Sequence, residues 1–420
     1  MSIYRKFMLF LVVLLAGQAS LIAQQKRLIT GSVIDVATKA TLPFVTVSLK
    51  KKLIGVVTNE EGKFDLYLPA EILADTLLVN YLGYKHFLMD IAEIKDPITI
   101  KLEETVVELE EIVVRPLMPE HYIRMATRRI AENYPKAPFQ TDAYYREKIL
   151  ENKNLIKSDE GVFKTFYPSY IDTVKNLHQL MIFRRAENAQ GIAFMSRQLK
   201  KKKQQDSLKT KDGKESESAI DVGKSFGGPA QILKGSDISK KSEDFLDSLE
   251  FKNYKYTFAK SSSYNTTELL VIDFVSKGKV NYKRESGRIY LDANSLAIVK
   301  IECAGKFVIP AILKPFLFLM SIGVKNPTYV KTSEFQQVNG KWYPKNIQNN
   351  IDVILTNNHL FKKDERSLFE IEQFFTVTEL KTNDATEVPL EKRYKEETDM
   401  DKQVFNDKGL TWEGLNIIKK

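Results

Sequence analysis

The chain has 420 residues, 63 Lys and Arg against 54 Asp and Glu for a formal charge of +9, and a 43% hydrophobic content. That much apolar material excludes a disordered chain, and a single cysteine, Cys303, excludes a disulfide-stapled scaffold. At ~100–200 residues per domain the length allows two or more cores, and the positive charge belongs to the later part, because Gln24–Arg115 carries 11 basic against 14 acidic side chains.

Arg5 and Lys6 precede an apolar run, Phe7–Gly17, followed by the small residues Ala19, Ser20 and Ala23. This pattern is that of a secretory signal peptide over residues 1–23, cut before Gln24 or Ser20. The run is shorter than the ~20 residues a spanning helix needs. The expectation is therefore an exported protein, in the periplasm or on either face of the outer membrane.

Residues 24–115 read as a β-sandwich. The expected strands are Leu28–Asp35, Phe44–Lys50, Leu53–Thr58, Lys63–Leu68, Thr76–Tyr81, Tyr84–Asp90, Ile98–Glu103 and Glu108–Val114, separated by turns such as Asn59-Glu-Glu-Gly62 and Leu82-Gly83. Five phrases lie in order here: Gly31-Ser-Val-Ile-Asp35, Leu42-Pro-Phe-Val-Thr-Val47, Gly55-Val-Val-Thr-Asn-Glu-Glu-Gly-Lys-Phe64, Val79-Asn-Tyr-Leu-Gly-Tyr84 and Leu109-Glu-Glu-Ile-Val-Val114. Together they resemble the carboxypeptidase-regulatory-like domain, a transthyretin-like sandwich found at the front of many outer-membrane nutrient receptors. The resemblance implies an adaptor with no catalytic residues of its own. It implies neither a receptor, since about 300 further residues are too few for a plug and barrel, nor a peptidase. None of His86, His121, His178 and His359 begins an H-x-x-E or H-E-x-x-H zinc motif.

Residues 116–140 form the expected helical linker. Pro119 suits a first helical turn, Ile123, Ala126, Ile130 and Tyr134 recur at helical spacing, and Pro135 stops the pattern. From 141 to 388 the chain returns to strands, expected at Asp142–Glu151, Asn154–Tyr167, Leu180–Arg184, Phe251–Lys260, Thr267–Ser276, Gly287–Asp292, Ala297–Ala304, Tyr329–Val338, Lys341–Leu355 and Leu368–Leu380. Turns as short as Asn339-Gly340 force antiparallel neighbours. The fold class is thus mainly β: a transthyretin-like sandwich, then a larger curved antiparallel sheet, a half-barrel, with a few covering helices. Within it, residues 197–218 hold Arg197 and Lys200–Lys203 among Gln, Ser, Asp and Glu without aromatics, which is a solvated loop rather than a nucleic-acid surface. Residues 389–420 form a tail that Trp412 and Leu415 dock.

The large sheet needs an apolar cover, and Phe307–Val324, with Lys314 as its one charge, is the candidate. It reads as a buried core helix or lid, with an exposed lipid, membrane or protein contact as the alternative. The candidate ligand-binding residues are Phe307, Ile309, Ile312, Leu313, Phe316 and Phe318. Hairpins such as Gly287–Glu302, this apolar segment, and Asn339-Gly-Lys-Trp-Tyr-Pro344 resemble the half-barrel of outer-membrane lipoprotein-sorting proteins. That resemblance implies a sheet wrapped around an apolar cavity.

No reaction is legible. Cys303 shares a strand face with Ala297, Val299 and Ile301 and reads as an inert buried thiol. Gly223-Lys-Ser225-Phe-Gly227 matches G-x-S-x-G, but a nucleophile elbow needs a parallel α/β sheet and these strands are antiparallel. The carboxylate pairs Glu60/Glu61, Glu103/Glu104 and Glu110/Glu111 read as solvated faces. The expectation is a noncatalytic binding protein with no catalytic residue, metal or cofactor, whose partner is a lipid or other apolar ligand or an outer-membrane or periplasmic protein. The alternatives are a scaffold without ligand and a serine hydrolase using Ser225.

Overall fold

The computed structural model describes residues 26–72, 74–105, 117–170, 174–188, 229, 232, 243–264, 267–319, 322–357, 365–396, 398–406 and 409–419. The expected signal peptide, the strand Glu108–Val114 with Glu110 and Glu111, the basic loop 197–218, Ser225 and His359 lie outside them. The chain divides into two units. One comprises the residues up to Val106 with Ser263–Thr266 and Thr411–Lys420; the other comprises Val107–Ser262 and Thr267–Leu410.

The first unit is a sandwich of two sheets. β1 (Lys26–Asp35), β4 (Lys63–Pro69) and β7 (Ile98–Leu102) form one in the order β4-β1-β7. β2 (Thr46–Leu49), β3 (Gly55–Val57), β5 (Thr76–Asn80) and β6 (Phe87–Asp90) form the other in the order β3-β2-β5-β6. Period-two alternation decides what is buried. On β4, Phe64, Leu66 and Leu68 point into a core with Val33, Val47, Val79 and Ile100, while Lys63 is exposed. Each such side chain contributes roughly 1.5–3 kcal/mol by leaving water.

The recurring phrases have structural work here. The Asp35 carboxylate accepts from the Thr38 amide at 2.6 Å and the Tyr84 hydroxyl at 2.9 Å, tying the first phrase to the fourth. The Thr38 hydrogen bonds hold Asp35 below the usual carboxylate range, and burial, with Asp35 beside it, pushes Tyr84 up to about 12. Asn59 closes its turn by accepting from the Glu61 and Lys63 amides, and Gly62 supplies the positive φ of 72° that the turn requires.

The second unit begins with α1 (Pro119–Arg128) and α2 (Ile130–Asn133). Ile123 and Ala126 are buried as their spacing predicts, and the helix breaks at Arg129. Tyr134 then enters the core, donating to the Ile298 carbonyl at 2.7 Å and stacking on Tyr170 with centroids 5.2 Å apart.

Among the described residues the main sheet has eleven strands: β8 (Phe139–Glu151), β9 (Asn154–Tyr167), β10 (Leu177–Glu187), β11 (Tyr254–Phe258), β12 (Ser262–Tyr264), β13 (Thr267–Ser276), β14 (Lys283–Asp292), β15 (Ile298–Phe307), β16 (Ile322–Val338), β17 (Lys341–Asn357) and β18 (Glu365–Lys381). Their order is β10-β9-β8-β18-β17-β16-β15-β14-β13-β11, with β12 off this path, and every pairing along it is antiparallel. The sheet is open, with β10 and β11 at its ends. Register shifts at Leu180/Ile182, Tyr290/Leu291, Glu334/Phe335 and Val377/Glu379 add bends to the ordinary twist and curve it.

The Asn339-Gly340 turn stands as expected, both residues at positive φ, 50° and 75°. Several boundaries differ from expectation, β10 and β14 for example starting at Leu177 and Lys283, and two of the differences have a local cause. Phe251–Asn253 is a turn of 3-10 helix, so that strand starts at Tyr254. β16 starts at Ile322 rather than Tyr329, because the register shift between Lys325 and Thr328 accommodates Pro327.

The C-terminal segments cover sheet edges. In the second unit, the Tyr394 and Phe405 amides donate to the His178 and Leu180 carbonyls of edge strand β10, at 2.7 and 2.8 Å. In the first unit, the Asn416 side chain accepts from the Tyr67 amide at 2.8 Å and donates to its carbonyl at 3.1 Å, reproducing a strand partner for edge strand β4. Lys419 pairs with Asp65 at 2.6 Å and Ile418 is buried.

Candidate functional site

The predicted apolar segment is not one helix. Phe307 ends β15, Ala311–Leu313 form a 3-10 turn, α3 (Lys314–Leu319) is six residues long, and β16 takes over at Ile322. Pro310 and Pro315 explain the fragmentation, since neither can donate to a preceding helical turn. Phe307 rests on the Tyr329 ring with centroids 4.6 Å apart and is 37% exposed; Ile309 is half-buried; Ile312 is 84% exposed. The side chains of Leu313, Phe316 and Phe318 lie outside the described set. The core-helix expectation therefore fails at Ile312, which faces solvent at the end of the sheet where β15 leaves and β16 returns.

A second feature lies on the core face. Register places Arg185 opposite Asp159, Asp159 opposite Glu147, Glu147 opposite Gln373, Gln373 opposite Asn349, Asn349 opposite Lys331, and Lys331 opposite Cys303. Directly opposed residues of antiparallel strands share a face, so a row of polar side chains crosses seven strands. It is bonded along much of its length. Arg185 grips Asp159 through two nitrogens at 2.7 and 2.9 Å. Lys157 reaches Asp159 at 2.8 Å, and Glu147, 2% exposed, accepts from Tyr145 at 3.0 Å and from Gln373 at 2.9 Å. Asn349 donates to Gln373 at 2.8 Å. Apolar rows flank it: Tyr145, Phe375 and Ile347 on one side, Ile149, Ile371 and Ile351 on the other.

Next to Cys303 the row meets a buried cluster. Glu285 accepts from the Tyr254 hydroxyl at 2.7 Å, from the Tyr329 hydroxyl, and from Cys303 Sγ at 3.7 Å. Burial, reinforced by Glu285, pushes Cys303 up, so it stays a thiol and a poor nucleophile. Burial likewise raises Tyr254 and Tyr329, which remain hydroxyl donors. Lys283 sits 3.0 Å from Asp244, and Lys331 2.6 Å from Glu243. Phe307 covers Tyr329, so the exposed segment starts directly above this cluster.

On the opposite face, Asp273, Arg288, Glu302, Ala304, Val330 and Thr332 help line a cleft of about 620 Å³. Its carboxylates are occupied: Asp273 by Arg288 at 2.7 Å, Glu302 by Tyr290 at 2.9 Å and Lys300 at 3.0 Å. Lys300 also pairs with Glu334 at 2.9 Å. The shift between Glu334 and Phe335 makes Lys345 the extra residue of a bulge, and it is buried. That burial, only partly offset by Glu334, pulls Lys345 down to about 8.

Among the described residues no three His, Cys, Asp or Glu side chains converge on a metal position. The row and the Glu285 cluster went unnoticed in the sequence although they leave a signal. Glu147 falls between Tyr145 and Ile149, Gln373 between Ile371 and Phe375, and Asn349 between Ile347 and Ile351, each at a position whose parity is otherwise apolar.

Residues 29–114 match the model of the CarboxypepD_reg-like domain. The CarboxypepD_reg-like domain coincides with the sandwich strands and contains all five phrases; it leaves the large sheet unassigned. Among solved structures, a DUF1329 family protein from Desulfovibrio piger is 10% identical over 64% of this chain and 94% of its own, at a TM-score of 0.23. Lipovitellin, from a structure described for its lipid–protein interactions, is 8% identical over 61% of this chain and 26% of its own, at 0.25. A Bacteroides fragilis protein of unknown function is 12% identical over 86% of this chain and all of its own, at 0.16. At such scores no architecture or activity is transferred from them. No curated protein matches the chain. No helix among the described residues is long and apolar enough to cross a membrane.

Proposed function

We propose that this is a noncatalytic binding protein of the cell envelope. The CarboxypepD_reg-like sandwich serves as adaptor, and the β15–β16 connection of the large sheet contacts an apolar ligand or an outer-membrane partner. The observation that carries the reading is Ile312, 84% exposed on the turn Ala311–Leu313 in the connection that leaves β15 at the exposed ring of Phe307. Apolar side chains gathered at one exposed place favour contact with something apolar. The charged groups of the large sheet support a binding role over a catalytic one, since the carboxylates of the core row and the outer cleft are held in ion pairs and hydrogen bonds. Export follows from the leader pattern and is part of the same proposal.

A photo-crosslinking residue at position 312, in protein produced in its native host, tests this. The expected outcome is a covalent adduct with one lipid species or one envelope protein, reduced when Phe307 is replaced by Ser. Equal labelling from position 312 and from Lys153, in the β8–β9 turn, would refute it.

A further inference from the structure

We infer that the Tyr282/Phe307/Ile312 end of the large sheet docks on an anionic lipid surface, the three side chains entering the interface and a ring of cations meeting the headgroups. This rests on the binding reading above and names its ligand.

The juxtaposition follows from register. Lys283 pairs with Phe307 and Arg284 with Lys306, and the Val308 amide donates to the Tyr282 carbonyl at 2.7 Å. Tyr282, 53% exposed, is thus one position along the ladder from the partner of Phe307, and Ile312 follows on the next turn. Two exposed aromatic side chains and an aliphatic one at the same end of the sheet match the interfacial region of a bilayer, where amphipathic rings settle at headgroup depth.

Charge decides between lipid and an apolar protein partner. Lys279 lies 5.3 Å from the Tyr282 ring centroid; Arg284 and Lys306 face each other across the ladder; Lys314 opens α3; Lys325 lies on β16 beyond Thr328, which pairs with Lys306. All five are exposed, and among the described residues none forms an ion pair. The nearby acids Glu243 and Asp244 are taken up by Lys331 and Lys283, and among the described residues Asp352, opposite Thr328, is the exposed counter-charge. Like charges directly opposed on a ladder destabilise it. The Arg284/Lys306 pair is thus a local loss that an external anion reverses, and each cation close to an anionic leaflet strengthens binding roughly fivefold.

The test is cosedimentation of the purified chain with phosphatidylcholine vesicles, with and without phosphatidylglycerol, at low and high salt. The expected result is binding to the phosphatidylglycerol vesicles that weakens with salt. Arg284→Gln with Lys306→Gln should lower it roughly 25-fold while leaving thermal stability equal or higher, so loss of fold cannot mimic the effect. Ile312→Ser should lower it about tenfold at both salt concentrations. Equal binding to both vesicles overturns the anionic inference and leaves the apolar reading standing. Binding to neither, with the crosslink at position 312 reporting a protein, overturns it in favour of a protein partner; loss of that crosslink as well sinks both.

Discussion

The sandwich and the large sheet solve the same burial problem in opposite ways. The sandwich core is apolar, Val33, Val47, Phe64, Leu66, Leu77, Val79 and Ile100 among others, with the buried Asp35, Thr58, Asn59 and Asp75 bonded to backbone amides of turns and strand ends. The large sheet runs Asp159, Glu147 and Gln373 through its core face and buries Glu285 and Lys345 besides. Apolar burial gives stability that is tolerant of detail. Buried ionic networks contribute little net stability, and removing one member leaves its partners uncompensated. Stability of the first unit thus depends on volume, that of the second on the completeness of its pairings.

Glu147→Ala breaks that contrast most severely. It removes the acceptor of the Tyr145 and Gln373 hydrogen bonds and the carboxylate 3.9 Å from Lys157, and should destabilise the large sheet by about 3–5 kcal/mol. Hydrogen exchange resolved by segment checks it, the sandwich strands being expected to keep their protection.

Lys345→Met acts in the other direction. The folded-state value of about 8 lies below the ordinary lysine value, so the unfolded chain binds more protons between the two and wild-type stability rises as pH climbs from about 8 towards 10. Below that window the penalty of a buried ammonium is fully present. Removing it should stabilise the large sheet by about 3 kcal/mol at neutral pH and abolish the rise. Denaturant midpoints of both proteins across pH 7–10 decide the matter, and parallel curves would contradict the assignment.

Asn416→Ala removes two hydrogen bonds from the edge of the sandwich and should cost about 1–2 kcal/mol there, with no change in the large sheet; the same exchange experiment reads it at Tyr67. The smallest effect belongs to Arg284→Gln, which relieves one cross-strand repulsion and should raise the melting temperature slightly at low salt and not at all at high salt.

The two units were also unequally legible. Alternation places Phe64, Leu66 and Leu68 without ambiguity, and the turn at Asn59–Gly62 announces itself by residue type. In the large sheet, strand positions were readable for the same reason, down to the Asn339-Gly340 turn. The polar row was not, because a single Gln or Asn at an apolar parity looks like noise until the register of the neighbouring strands aligns it with others. Nor was the fate of Phe307–Val324: its composition suits a core helix, and only Pro310, Pro315 and the early start of β16 show that Ile312 has nowhere to be buried.

The closing stretch of the chain has a role that composition hides. Between Tyr394 and Lys419 it shields first the margin at His178–Leu180 and then the margin at Tyr67, two of the places where the units would otherwise offer bare backbone to a foreign strand. A polypeptide released before residue 394 would keep both cores yet carry two open templates, and its failure would show in light scattering as growth of chains upon chains.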